Sequence, residues 1–570
     1  MSWTSPPARF SISDNPMRRF FLPTLRMLCV LTSLLVIQPA AVRSAEIKPL
    51  VQSIDAEIDR KLKDAKLTPA ALSDDAEFLR RAYLDITGRI PTAKQAAAFL
   101  DSTEADKRAK LINELLASAN YGEQMGRVWR EWIAPAELPS EGNGGNQPLV
   151  ATQNLSKWFA QRFNAGDGWD KIVRDLLTVN GTLKDAPQGI YYSLVGDDQG
   201  KPLPAGAARN ISSLFMGVQL QCAECHNDPF KEWKQADFWG TAAFFRNMSW
   251  KFNGRYFDSI GEAFDVPGPD GKKATAINDK SPNGSITIPK EAFKNSGTII
   301  PAKFVGNTAP YSAKEKQPLR PVFAEWLTAK ENPYFAKAFV NRTWAYFFAR
   351  GIVNPVDDMR DENVPLLPET LQKLTDDFVA SNYDVRRLMR CITNTQAYQR
   401  SSRPSQKKSG ESVALFGRMP VKLMSAEILY DSLKLAMTDP GLDLRNYDAK
   451  DAGRFGESSP VGSPYDEFVK LFTTNEDDAT DFTHGIPQFL ALINHPRLRT
   501  GGKTVEGLMK AKSTPEQTVE ALYLSTLSRR PTSEEATEAQ TFVGKSKDPV
   551  KSYNGVLWML VNRSEFILVR

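Results

Sequence analysis

Two cysteines three residues apart, with a histidine directly after the second, stand together in Cys222-Ala223-Glu224-Cys225-His226. C-x-x-C-H is the attachment spacing of c-type haem. Thiols one helical turn apart reach the two vinyl groups along one porphyrin edge, and the adjoining imidazole takes the iron. Cys222 and Cys225 are therefore candidate covalent haem ligands, and His226 is the candidate proximal iron ligand. With four Cys and three His in 570 residues, chance gives this pentapeptide on the order of 10⁻⁴ times per chain. Two plainer chemistries stay open beside it. The pair could form a disulfide or redox dithiol, or join His484 and His495 around zinc.

A sixth iron ligand is sought among few residues. Met248, in Arg246-Asn247-Met248-Ser249, follows the motif at a plausible distance, and a thioether there would raise the potential. Met216, His484 and His495 are the other candidates. An apolar helical face of Ile211, Leu214, Phe215 and Val218 leads into Cys222. Residues 227–257 then hold ten aromatic rings, including Phe230, Trp233, Phe238, Trp239, Phe244 and Phe245. These are candidate walls for a macrocycle, although each ring taken singly reads as core. Cys391 reads as a buried thiol. Hydrolase signatures are missing: there is no G-x-S-x-G, H-E-x-x-H, P-loop or Rossmann fingerprint. The acidic groups Asp357-Asp358 with Arg360, and Glu476-Asp477-Asp478 with Asp481, are of a kind that more often caps helices than binds cations.

Helices must position these residues. Asp74 with Glu77 has capping-box spacing, Phe78, Leu79, Ala82 and Ile86 recur at helical intervals, and Gly88 closes the segment. Pro91-Thr92 opens a helix over residues 93–100. Further amphipathic stretches cover 107–117, 154–163, 169–177, 322–327, 336–348, 368–379, 385–393, 426–435, 516–527 and 553–562. Tyr83-Leu84 with Arg89-Ile90-Pro91-Thr92 is echoed by Tyr523-Leu524 with Arg529-Arg530-Pro531-Thr532, which reads as a repeated helical hairpin. From 252 to 316 Gly, Pro, Asn and Asp crowd together with short β-like runs at 285–288 and 298–300. The expected fold is mainly α: a helical domain over 45–251, a small β or irregular insertion over 252–316 and a second helical domain over 317–570.

Residues 1–44 read as a signal peptide. Arg9, Arg18, Arg19 and Arg26 precede an apolar run from Met27 to Ile37, too short to span a bilayer, and cleavage fits between Ser44 and Ala45. Arg18-Arg19-Phe20-Phe21-Leu22 also fits a twin-arginine signal, but the general secretory route suits a haem attached to an unfolded chain. The formal charge is +5, from 72 basic and 67 acidic side chains. Losing the five Arg and one Asp of the leader leaves +1. No basic run longer than a pair follows, so nucleic acid is not an expected partner. No later stretch is apolar enough for a transmembrane helix.

The run Phe78-Leu79-Arg80-Arg81-Ala82-Tyr83-Leu84-Asp85-Ile86-Thr87-Gly88-Arg89-Ile90-Pro91-Thr92, with Cys222 to Phe230, closely resembles the first of two planctomycete-type domains of unknown function. These are the families numbered fifteen forty-nine and fifteen fifty-three. The second resembles Trp326-Leu327-Thr328, Asn332-Pro333, Val340-Asn341-Arg342-Thr343-Trp344 and Asn562-Arg563-Ser564-Glu565-Phe566. The resemblance implies a large exported protein often associated with cytochrome c-like domains. Where that family continues C-H-x-H-P-F, Asp228 replaces the second His. The resulting expectation is an extracytoplasmic protein with one haem c, serving electron transfer or haem-dependent redox chemistry. A redox partner protein or an extracellular polymer would engage the rest of the chain. The alternative is a haem-free structural or substrate-binding protein in which Cys222 and Cys225 are disulfide-bonded.

Overall fold

A computed structural model describes residues 40–134, 147–197, 199–253, 256–262, 275–276, 281–289, 295–404, 409–438, 468–469, 471–472, 486–494 and 502–570. The leader before residue 40, His484, His495 and the acidic group at 476–481 lie outside them. The described chain is mainly α. Its helices lie where apolar periodicity predicts. Lys107–Ala117, Trp169–Leu177 and Val385–Thr393 match the expected bounds residue for residue. Ala119–Ile133 was not anticipated: Ser118 makes no side-chain cap to announce it.

Local chemistry sets the helix ends. The Asp74 carboxylate accepts the Glu77 N–H at 2.8 Å, and Gly88, at φ +63°, ends Asp75–Thr87. Thr92 and Gln95 then form a reciprocal capping box ahead of Ala93–Asp101. The device recurs in the second half. Pro515–Leu527 ends at Ser528, φ +60°, and Thr532 with Glu535 boxes the start of Ser533–Gly544. The two hairpins also pack on each other, with Pro515–Leu527 against Ala93–Asp101.

Two hydrophobic cores result. The larger takes buried residues from Ile47 to Met419, together with Leu524. At its centre Trp129 packs at a tilt on Trp169 (centroids 4.2 Å apart) and Trp169 on Phe339 (4.6 Å). The aromatic stripe of Phe335–Phe348 thus finds its partners in the first half of the chain, so helices from both sides of the insertion close one core. The second core gathers residues 424–569 and takes in Leu84 and Ile90 from the first hairpin.

The first helix, Ala40–Asp64, runs through the expected cleavage position. Its Ile47, Ile54, Ile58 and Leu62 are buried, so cleavage after Ser44 would trim only residues that precede this buried stripe.

Strands are few and short. β1 (Gly181–Thr182), β2 (Met248–Asn253), β3 (Tyr256–Glu262) and β4 (Thr275–Ala276) form an antiparallel sheet in the order β1-β3-β2-β4. The sheet therefore begins before residue 252 and reaches back to 181. β5 (Ser285–Thr287) pairs with β6 (Ile299–Pro301), as the two β-like runs predict. β7 (Lys422–Leu423) pairs with β8 (Leu568–Val569).

The charged residues of the Phe78–Thr92 run are structural. Arg80 donates to the carbonyls of Thr526 and Phe566. Arg81 donates to those of Tyr398, Arg400 and Arg570 and pairs with Glu77. Asp85 holds Lys422 at 2.8 Å and accepts the Tyr398 hydroxyl at 3.0 Å. Burial pushes the Arg80 guanidinium down to about 10, a measure of how completely it leaves water.

Candidate functional site

The segment leading to the motif changes its winding twice. Pro204–Ile211 is α-helical, Ser212–Met216 widens to a π turn, and Gly217 ends it at φ +67°. A Cβ on Gly217 would stand 3.1 Å from the Met359 sulfur, so glycine meets both a backbone and a space requirement there. Ile211, Leu214, Phe215 and Val218 are buried, as their periodicity predicts.

Gln221–Glu224 forms a 3₁₀ turn, with the Ala223 N–H donated to the Leu220 carbonyl. Residues three apart eclipse in such a turn, so Cys222 and Cys225 share one face. Ala223 is sealed in the core and anchors the turn from beneath, while both cysteines and His226 are exposed. The thiols are free. This corrects the disulfide alternative: both sulfurs face outward without bonding. Burial and the Glu224 carboxylate push the Cys225 thiol above its ordinary value, the reverse of what a reactive dithiol needs.

His226 Nδ1 lies 2.8 Å from the Asn227 carbonyl oxygen. A carbonyl only accepts, so Nδ1 carries a proton, and in the neutral imidazole the lone pair is then on Nε2. Nε2 is the nitrogen available to a metal.

Helix Gln235–Ala242 holds the motif from behind. Gln235, 4 % exposed, donates its amide to the carbonyls of Glu224 (3.2 Å) and Cys225 (3.1 Å). Trp239 Nε1 donates to the Glu224 carbonyl at 3.0 Å. The Asn227 side chain caps the helix by accepting the Gln235 N–H. Asn295, from the β5–β6 turn, donates to the Gln235 side-chain oxygen. Arg209 pairs with the Glu224 carboxylate at 2.6 Å. Asp228, standing where the family has a second His, is buried and accepts the Phe230 N–H in a tight turn.

The expected aromatic walls are not walls. Trp233, Phe238, Trp239, Phe244, Phe245 and Phe257 are buried against one another and their neighbours, because so many large rings gain more by packing together than by lining a slot. Among the described aromatic side chains of this stretch, only Phe230, at 86 %, is strongly exposed. Met248 and Met216 are completely buried, so neither thioether reaches the surface carrying His226. Cys391 is buried, and its thiol is pushed up to about 12.

The Asp357-Asp358-Arg360 group, separated from the motif by more than 120 residues, lies against it. Asp357 accepts the Ser213 hydroxyl (2.8 Å) and the Gln219 amide (2.7 Å). Asp358 pairs with Lys231 (3.1 Å) and Arg360 (3.2 Å). The Met359 N–H donates to the Gly217 carbonyl, and Arg360 donates to that of Phe230. Arg342 donates to the Ser213 carbonyl and stacks on Trp132; burial pushes its guanidinium down to about 10. Sequence reading found these acids but missed the Lys231 and Gln219 partners, which carry no signal of their own.

As a donor set, Cys222, Cys225 and His226 fit a covalently attached haem: two free thiols on one face and an imidazole with an available Nε2. They do not fit an enclosed haem pocket. Among the described residues no three His, Cys, Asp or Glu side chains gather as a metal ion requires, and no helix is long and apolar enough to cross a membrane.

Fold and motif together define a mainly α, two-core protein presenting a C-x-x-C-H turn on its surface. Residues 53–249 match PSCyt2, a protein of unknown function (DUF1549), and residues 319–450 match PSD1, a protein of unknown function (DUF1553). The chain carries this pair of domains in the order that its motifs indicate. No curated protein and no solved structure matches it.

Proposed function

We propose that this is an exported protein carrying one surface-mounted haem c, bound through Cys222 and Cys225 with His226 as proximal ligand, and exchanging electrons with a partner. One observation carries the reading: a single turn presents two free, exposed cysteines, one within it and one directly after it, beside an exposed imidazole. Haem, when bound, supplies one-electron chemistry. The chain's own residues hold the attachment turn still. Gln235 fixes the carbonyls of Glu224 and Cys225, Trp239 also fixes that of Glu224, and the Asn227 carbonyl accepts from His226 Nδ1.

An exposed mount favours electron transfer over enclosed small-molecule chemistry, because Cys222, Cys225 and His226 are open to water. With Met248 and Met216 buried, the distal side is left to solvent, to His484 or His495, or to a partner's side chain. The large remainder of the chain is then the binding body, for a redox partner protein or an extracellular polymer. Export by the general secretory route, with cleavage after Ser44, would bring the unfolded chain to the compartment where such haem is attached.

The test is expression of the full chain with haem c attachment machinery, followed by a covalent-haem peroxidase stain on a denaturing gel. A stained band lost in Cys222→Ala with Cys225→Ala is expected. An unstained wild type, or a stain unchanged in the double variant, refutes the proposal.

A further inference from the structure

The C-x-x-C-H turn belongs to the first family's segment, yet residues of the second bond to the chain on both sides of it. Upstream, Asp357 binds Ser213 and Gln219, and Met359 bonds the Gly217 carbonyl. Downstream, Asp358 binds Lys231, and Arg360 bonds the Phe230 carbonyl. Lys231 closes the ring by also donating to the Gln219 side chain, so both flanks are tied to each other as well as to residues 357–360. The Asp358–Lys231 pair is largely withdrawn from water, with side chains 10 % and 13 % exposed. Charge-assisted bonds in such surroundings are the strong ones.

We infer that Asp357 and Asp358 are positioning residues of the motif: the second domain supplies a brace that fixes where Cys222, Cys225 and His226 stand. They touch none of the three directly. Ser213–Gln219 and Asp228–Lys231 are the two ends of the segment that bears them, and fixing both ends fixes the segment. The brace also gives the two domains a shared task, since the motif is mechanically complete only when both are present. As a statement about iron ligation the inference rests on the haem reading above; as a statement about the polypeptide it does not.

The experiment uses the full chain with Lys231→Met, Asp358→Asn and Asp357→Asn, each examined with and without haem attachment machinery. Lys231→Met leaves Asp358 its Arg360 partner and so keeps a folded variant in the set. In haem-free protein, hydrogen exchange at the amides of Asp228, Phe230 and Met359 is expected to quicken about tenfold, while residues 78–87 stay at wild-type protection. In haem-loaded protein, the visible bands that report His226 ligation are expected to change from one species to a mixture, and Asp358→Glu to restore them.

Wild-type protection at those three amides in all variants overturns the brace. Quickened exchange with an unaltered ligation spectrum overturns the positioning role. A wild type that takes up no haem removes the proposed function and with it the ligation claim, while the exchange rates still decide the brace.

Discussion

Replacing Lys422 by Met tests whether the two cores are pinned together by one buried charge. Lys422 and Asp85 have side chains only 9 % and 5 % exposed and sit 2.8 Å apart. The ammonium also donates to the carbonyls of Tyr346 and Phe347, in the last turn of Phe335–Phe348. Removing one partner of a buried ion pair costs about 3–5 kcal/mol, because the other charge stays behind without compensation. Two carbonyls that lose a donor add about 1 kcal/mol. The Tyr398 hydroxyl remains on Asp85 and softens the loss, so about 4 kcal/mol is expected. Spread over some 500 cooperatively melting residues, that lowers the calorimetric midpoint by about 4 °C; if the smaller core melts separately, its own midpoint falls by about 10 °C. Adding Asp85→Asn removes the stranded charge and should restore at least half of the drop. A single variant within about 1 °C of wild type, or a double variant less stable than the single one, would refute the assignment of this pair as the pin.

Other outcomes follow from single residues. Burial pushes the Asp55 carboxyl up to about 6 although it accepts the Gln396 N–H. The folded state therefore holds its proton more tightly than the unfolded chain does. Its contribution to stability is full below about 4 and is lost as pH rises through about 6. Asp55→Asn should stabilise by about 1–2 kcal/mol at pH 7.5 and by nothing below pH 4, as read by urea melts. Gly217→Ala forces a left-handed backbone and a contact with Met359, and should cost about 1–2 kcal/mol with faster exchange at the Met359 amide. In haem-free protein beginning at Ala45, a thiol reagent should titrate Cys222 and Cys225 at once and Cys391 only after unfolding; fast reaction of a third thiol would contradict the packing.

Much of this was legible in the chain because it is decided locally. Periodicity placed the helices at 107–117 and 385–393, and the capping boxes at Thr92 and Thr532 followed from side chains three residues apart. The identity of the motif was equally local. Its setting was not. Ten rings after the motif suggest walls in one dimension, but whether a ring lines a slot or fills a core depends on partners from elsewhere: Phe244 packs on Phe304 and Phe245 on Phe323. The packing across the insertion was hidden for a similar reason. A composition shift marks 252–316, yet the stripe of Phe335 and Phe339 is satisfied by Trp169, across that shift. Asp357 and Asp358 were visible as acids, and only the fold could supply Lys231.

The mutual packing of the two capping-box hairpins has a consequence for the order of assembly. Leu84 and Ile90 complete a core made of residues 424–569, and Leu524 completes the earlier one. Arg80 and Arg81 wait for carbonyls at 526, 566 and 570, more than 440 positions later. Neither half can shed its last exposed apolar surface or satisfy its buried guanidinium groups until the far end of the polypeptide has arrived. Contacts of such span close slowly. The first hairpin would therefore be the last part of the larger core to settle, held open until residues 526–570 have been made.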